Sequence, residues 1–143
     1  MTAVAADELA TAVRLTDVVG RLLRMLRRSH VTPVSSAAMS ALATVVRSGP
    51  IRLGELADRE GVTAATLSRI VTALEREGFT ERRTDPADRR AAFLSATAAG
   101  RAALDTLLLA RAQVLVQAMA SLSDADAAAL ASGLDVIERL IAT

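Results

Sequence analysis

Four arginines and two aspartates fall within the nine positions from Arg82 to Arg90. Guanidinium groups at that density can hold phosphate oxygens or a guanine edge in bidentate fashion, and interspersed carboxylates can orient them. A second set lies just upstream, in the run Thr63-Ala64-Ala65-Thr66-Leu67-Ser68-Arg69-Ile70-Val71-Thr72-Ala73-Leu74-Glu75-Arg76-Glu77. Here Leu67, Ile70, Val71 and Leu74 follow the i, i+3, i+4, i+7 rule and must face a core. The opposite face then carries Ala65, Arg69, Thr72 and Arg76, flanked by Thr66 and Ser68. Small side chains let a helix backbone approach a groove and can meet a thymine methyl, hydroxyls bond bases or phosphate, and arginine bonds guanine. Thr63 caps this helix, whose amino-terminal amides add donors for a phosphate.

Other chemistries find little support. The 143 residues contain no cysteine and one histidine, His30, which excludes a structural disulfide, a thiolate metal site and a thiol switch, and disfavours a histidine metal cage. No nucleophile stands beside a base, no glycine-rich phosphate loop occurs, and no carboxylate pair suggests a cleft, so the chain is not expected to be an enzyme or to need a cofactor. Asp124 and Asp126 read as charge complements to a helix amino terminus. All seventeen basic residues are arginine, and alongside heavy use of alanine, leucine and valine this points to the codon bias of a GC-rich genome before arginine chemistry. Net charge is only +1, so any polyanion must be met by local charge. No leader or spanning run stands out, which predicts a cytoplasmic protein with no membrane partner.

One domain of nearly pure helix is expected, because aromatic content is 1% and a core must come from Leu, Val, Ile, Met and Ala at helical spacing. Asp7 to Ser29 reads as a helix with two buried sides, Leu9, Val13 and Leu23 on one and Leu15, Val18, Leu22 and Met25 on the other, leaving Arg14, Arg21 and Arg28 in solvent. His30 to Pro33 breaks it. Ser35 or Ser36 caps a helix to about Arg47 with Met39, Leu42, Val45 and Val46 inward. After Ser48-Gly49-Pro50 come a short extended entry and a two-turn helix ending at Gly61, then the Thr63 helix ending at Gly78, which together make a helix-turn-helix candidate. Phe79 to Arg83 and Ala91 to Ser95 read as two strands of a hairpin with Thr84 to Arg90 at its tip. From Thr97 a helix runs to about Met119. At ~22 residues it is about 33 Å long, more than so small a domain needs, so part of it should meet another subunit. Ser121 to Asp124 caps a last helix with Leu130, Leu134, Ile137 and Ile141 as its stripe.

This order of elements resembles the MarR (multiple-antibiotic-resistance regulator) family of bacterial winged helix-turn-helix regulators. The resemblance rests on Leu56-Ala57, on the run from Thr66 through Leu74-Glu75-Arg76-Glu77-Gly78-Phe79, and on Asp85-Pro86-Ala87-Asp88-Arg89-Arg90, which looks like the family's Asp-x-Arg wing signature at Asp88 and Arg90. It implies a mainly α fold with a small β wing: a DNA-binding lobe over 35–95 and dimerisation helices over 7–30 and 97–142. It further implies a homodimer on double-stranded DNA, more often a repressor, with Thr63 to Arg76 in the major groove and the hairpin tip in the minor groove, where Arg83, Arg89 and Arg90 would make contacts. Narrow minor grooves attract inserted arginine. Asp88 would orient a neighbour such as Arg82 or Arg90. Family members also bind small aromatic or phenolic effectors in a cleft beside the dimerising helices, near which Arg14, Arg21 and Met39 fall by position.

Two features set this chain apart. Gly54 stands where a Ser or Thr cap is common in the family. From Arg52 to Arg90 eight arginines face eight acidic residues, so the lobe is neutral and depends on segregating its arginines onto one surface. That balance also suits a competing reading, a winged-helix protein-interaction module that no longer binds DNA.

Overall fold

A computed structural model describes residues 3–27, 32–84 and 92–142. Helix α1 spans Ala3–Leu26, α2 Ser36–Ser48, strand β1 Ile51–Arg52, α3 Leu53–Glu60, α4 Ala64–Arg76, β2 Thr80–Thr84, β3 Ala92–Ala96, α5 Ala98–Met119 and α6 Asp124–Ile141. Serine and threonine set four of these starts. Ser35, Thr63, Thr97 and Ser123 each sit extended at an amino-terminal cap, and their side chains accept from the amides of Ala38, Thr66, Gly100 and Asp126, filling donors that a helix end leaves open.

Two differences from the sequence reading concern the start of the lobe. α3 begins at Leu53 after Arg52, which makes no side-chain cap bond, so Gly54 lies inside the helix rather than at its cap. Ile51 and Arg52, expected only as an extended entry, pair with Leu94 and Phe93. The hairpin is therefore a three-stranded antiparallel sheet in the order β1-β3-β2. Its inner face is marked by Ile51 and Leu94, both buried in the cluster that also holds Val45, Leu56, Ala57, Leu67 and Val71. A second cluster joins Ala38, Met39, Ala41 and Leu42 of α2 to Ile70 and Leu74 of α4 and to Leu104 and Leu107 of α5. All four residues assigned to the inner stripe of α4 are thus in the core.

The long helices depart further from expectation. α1, expected to bury two sides, buries none of its described side chains, and α6 buries none either. Only the first half of α5 packs on the lobe, through Gly100, Leu104 and Leu107, while Leu108, Leu109, Val116 and Met119 stay exposed. The physical reason is supply: a lobe of two small clusters has no apolar surface left to cover them. By length and composition α5 is apolar enough to cross a membrane, but it carries Asp105 and Arg111 and its amino-terminal half is seated in the core.

Candidate nucleic-acid interface

Between α3 and α4 the chain turns at Gly61, whose φ of 62° and ψ of 34° are left-handed, a conformation glycine adopts without a Cβ penalty. The amide of Val62 then donates to the carbonyl of Ala57 at 3.0 Å. This sets α4 with Leu67, Ile70, Val71 and Leu74 inward and presents Thr63, Ala65, Thr66, Ser68, Arg69, Thr72 and Arg76 to solvent. The surface is small-residue and hydroxyl-rich around its first turn, with Arg69 in the second turn and Arg76 at its end. Some donors are already engaged: Thr63 donates to the Thr66 hydroxyl at 3.1 Å and Thr72 to the Ser68 carbonyl at 2.8 Å. These leave Thr63 and Thr72 acting through their methyls and remaining lone pairs, while Thr66, the acceptor in the first bond, keeps its own O–H to donate. Arg69 carries no ion pair or hydrogen bond among the described residues, which leaves its guanidinium fork free for a ligand.

α4 ends where Gly78, at φ 72°, reverses the chain into β2, with the Phe79 amide donating to the Leu74 carbonyl at 2.8 Å. Register then decides which arginine does what. Directly opposed residues of an antiparallel pair share a face. Arg82 opposes the buried Leu94 and Arg83 opposes Phe93, so Arg82 lies on the inner face and Arg83 on the outer. From there the Nε of Arg82 donates to Oε1 of Glu75, near the end of α4, at 2.7 Å. Among the described residues this is the partner of Arg82, and it ties the helix to the wing strand. Glu75 was missed by the sequence reading, since nothing but strand register reveals that the two meet. On the outer face, Arg83 donates through Nε and Nη2 to Glu81 at 3.1 and 2.7 Å, and the guanidinium of Arg52 sits 5.5 Å from the centre of the Phe93 ring. Asp88, Arg89 and Arg90 lie outside the described residues, as does His30.

The wing base is fastened to α5. Thr97 donates its hydroxyl to the Gly78 carbonyl at 2.6 Å and its amide to the Phe79 carbonyl at 3.0 Å. Gly100 lies so close that a Cβ there would stand 2.1 Å from the Phe79 oxygen. A cleft of about 370 Å³ opens between the end of α1, α2 and α5, lined by Leu23, Arg27, Met39, Arg47, Leu104 and Arg111 among others. The Nε of Arg111 is buried without a hydrogen-bond partner among the described residues. Met39 lies where the sequence reading placed it. Arg14 and Arg21 do not line this cleft, and Arg21 instead pairs with Asp17 at 3.2 Å. The cleft's three arginines come from just past the end of α1, from α2 and from α5, a meeting that no local spacing announces.

A capped helix with a small polar face, set beside a β wing on a shared core, is the arrangement of the winged helix-turn-helix. Residues 34–92 match the sequence profile of the MarR family. An uncharacterized HTH-type transcriptional regulator of Mycobacterium leprae is 33% identical over 128 residues, covering 89% of this chain and 90% of that protein. The chain belongs to the MarR family. Among solved structures, a Pseudomonas aeruginosa protein assigned as a transcriptional regulator is 31% identical with a TM-score of 0.81, covering 94% of this chain and 96% of that one. Bordetella bronchiseptica BpsR superposes with a TM-score of 0.63 at 19% identity, over 89% and 91% of the two chains. This MarR-family chain is accordingly a transcriptional regulator with a helix-turn-helix fold, in a family of regulators rather than enzymes.

Proposed function

We propose that this MarR-family chain is a sequence-specific repressor that binds a pseudo-palindromic operator as a homodimer. The observation that carries the reading is the exposed face of α4, where Ala65, Ser68, Arg69, Thr72 and Arg76 stand opposite a fully buried apolar stripe. That face fits a major groove, with Arg69 as the base reader, Thr63 and Thr66 at the phosphate-facing amino terminus, and Arg76 on the backbone. The wing extends the contact into the adjacent minor groove through Arg83, Arg89 and Arg90, with Asp88 and Arg82 holding its shape. Residues 7–30 and 97–142 form the dimer, supported by the apolar residues that α1, α5 and α6 leave uncovered. Half-sites then lie about one helical turn, near 10 base pairs, apart.

A small aromatic or phenolic effector is assigned to the cleft between α1, α2 and α5. Its support is the combination of apolar walls from Met39, Leu104 and Leu107 with the unpartnered Arg111 nitrogen, which suits a flat ring bearing an acidic group. The DNA binding of BpsR is described as regulated by 6-hydroxynicotinic acid, a compound of that type.

The test is fluorescence anisotropy of the full-length protein against DNA from upstream of its own gene and against duplexes enriched from a random-sequence pool. Replacing Arg69 by Ala should cost roughly 1 to 3 kcal/mol on the enriched site and relax preference at one base position. Unchanged affinity and unchanged preference would remove Arg69 from the interface. No enrichment of any duplex, even at low salt, would favour a protein-interaction module instead.

A further inference from the structure

Four arginines flank the groove-facing surface on α4 and β2, and three of them are already bound by a carboxylate of the same chain. Arg76 meets Glu77 at 3.3 Å, Arg82 meets Glu75 at 2.7 Å and Arg83 meets Glu81 at 2.7 Å. The pair on Arg82 is half-buried and joins helix to strand, so it has a structural purpose. The other two join nothing. Glu77 is the next residue after Arg76, Glu81 is two residues before Arg83 on one strand, and the arginine side chains are 74% and 73% exposed. Exposed pairs of this kind add about 0 to 1 kcal/mol to stability, which leaves the fold no need of them.

Geometry shows what they do occupy. Alternate residues of a strand share a face, so Glu81 stands beside Arg83 on the outer side of the wing. Its Oε1 takes both the Nε and the Nη2 hydrogens of Arg83. That N–H edge is the one a phosphate oxygen takes when arginine grips a nucleic-acid backbone.

Resting on the DNA-binding reading above, we propose that Glu81, with Glu77 as its counterpart on α4, is an affinity-setting residue: its carboxylate holds the guanidinium edge of Arg83 until a DNA phosphate displaces it. Binding is then an exchange of one anion for another at Arg83 and Arg76, while Arg69, which has no carboxylate, stays open to a base edge. Attraction to DNA backbone, the sequence-independent part of binding, is held down at each exchanged arginine. The equal count of arginines and acidic residues in the lobe becomes a property of the interface rather than an obstacle to it.

The experiment is a double-mutant cycle on the full-length protein, read by anisotropy over a sodium chloride series. Its probes are an enriched duplex and an unrelated duplex of equal length. Glu81→Gln removes the charge and keeps the shape, and should tighten binding at low salt by about two- to five-fold, the span of a surface pair, with a steeper salt slope. In an Arg83→Gln background the same change should bring no gain. A gain that persists undiminished there would mean that Glu81 only repels phosphate, and the proposal fails; no gain in the native background also overturns it. The cycle of Glu77→Gln with Arg76→Gln repeats the test at an independent pair. A native protein that enriches no duplex would instead sink the DNA-binding reading and this inference with it.

Discussion

Thr44 and Thr80 are both buried, at 8% and 4% exposure, yet their hydroxyls have opposite fortunes. Thr44 donates to Oε1 of Glu60 at 2.6 Å and accepts from Nη2 of Arg47 at 3.2 Å, linking the carboxyl end of α2 to that of α3. The hydroxyl of Thr80 has no partner among the described residues. A hydrogen bond to a charged group is worth more than a neutral one, whereas a buried hydroxyl without a partner costs its desolvation. Thr44→Val should therefore lower stability by about 1 to 2 kcal/mol, because it strands the Glu60 oxygen. Thr80→Val should be neutral or stabilising by up to about 1 kcal/mol. Urea midpoints at one protein concentration, with unchanged m-values, decide it. Equal losses at both positions would show that the two hydroxyls have equivalent surroundings.

At the level of elements, the joint between α5 and the turn after α4 has no room for a Cβ at Gly100. A methyl at Gly100 would meet the backbone oxygen and carbon of Phe79 at 2.1 and 2.9 Å, and neither can swing aside as a side chain would. Gly100→Ala must push α5 off the turn and stretch the Thr97 bonds, at a cost of about 2 kcal/mol or more. Gly54→Ala meets open space inside α3 and should gain about 0.5 to 1 kcal/mol from helix propensity. Thermal midpoints of the two variants should move in opposite directions; Gly100→Ala as stable as the native chain would refute the close packing. Much of this layer was legible in the sequence, because caps and periodic stripes are local signals: Thr63, Gly61, Thr97 and the Leu67 to Leu74 stripe all stand where spacing puts them. What was not legible depends on chain segments meeting from afar. Two residues, Ile51 and Arg52, are too few to show alternation, and their partner strand lies more than forty positions on. The Glu75 to Arg82 bridge needs the β2 register, and the cleft arginines need three helices in place. The small polar face of α4 was readable as an exposed surface opposite the core stripe. Which of its hydroxyls and arginines are already engaged was not.

For the whole molecule, the exposed surface is the deciding quantity. A compact monomer of this mass presents about 7,000 Å² by the usual scaling of area with mass. This chain presents 10137 Å². The excess, about 3,000 Å² per chain or about 6,000 Å² for two, is the scale of the largest obligate homodimer interfaces, and its apolar part is concentrated on α1, the second half of α5 and α6. Leu9, Val13, Leu109, Val116, Leu134 and Ile141 are each more than half exposed, and scattered single leucines do not explain a continuous set. On the dimer proposed above, the two stripes read from α1 and the single stripe from α6 would find their cover in a second copy of the chain. Sedimentation should give a particle of twice the 14.9 kDa chain mass at micromolar concentration, with a thermal midpoint that rises with protein concentration. Leu134→Arg with Ile137→Arg would put two charges into the apolar stripe of α6, where an unpaired buried charge is costly. The expected product is a monomer that keeps the lobe core but loses helicity and binds an operator as single half-sites, with the cooperative two-site affinity gone. A native chain that sediments as a monomer at tens of micromolar, or an arginine pair that leaves the dimer intact, would mean that this surface meets something other than its own copy.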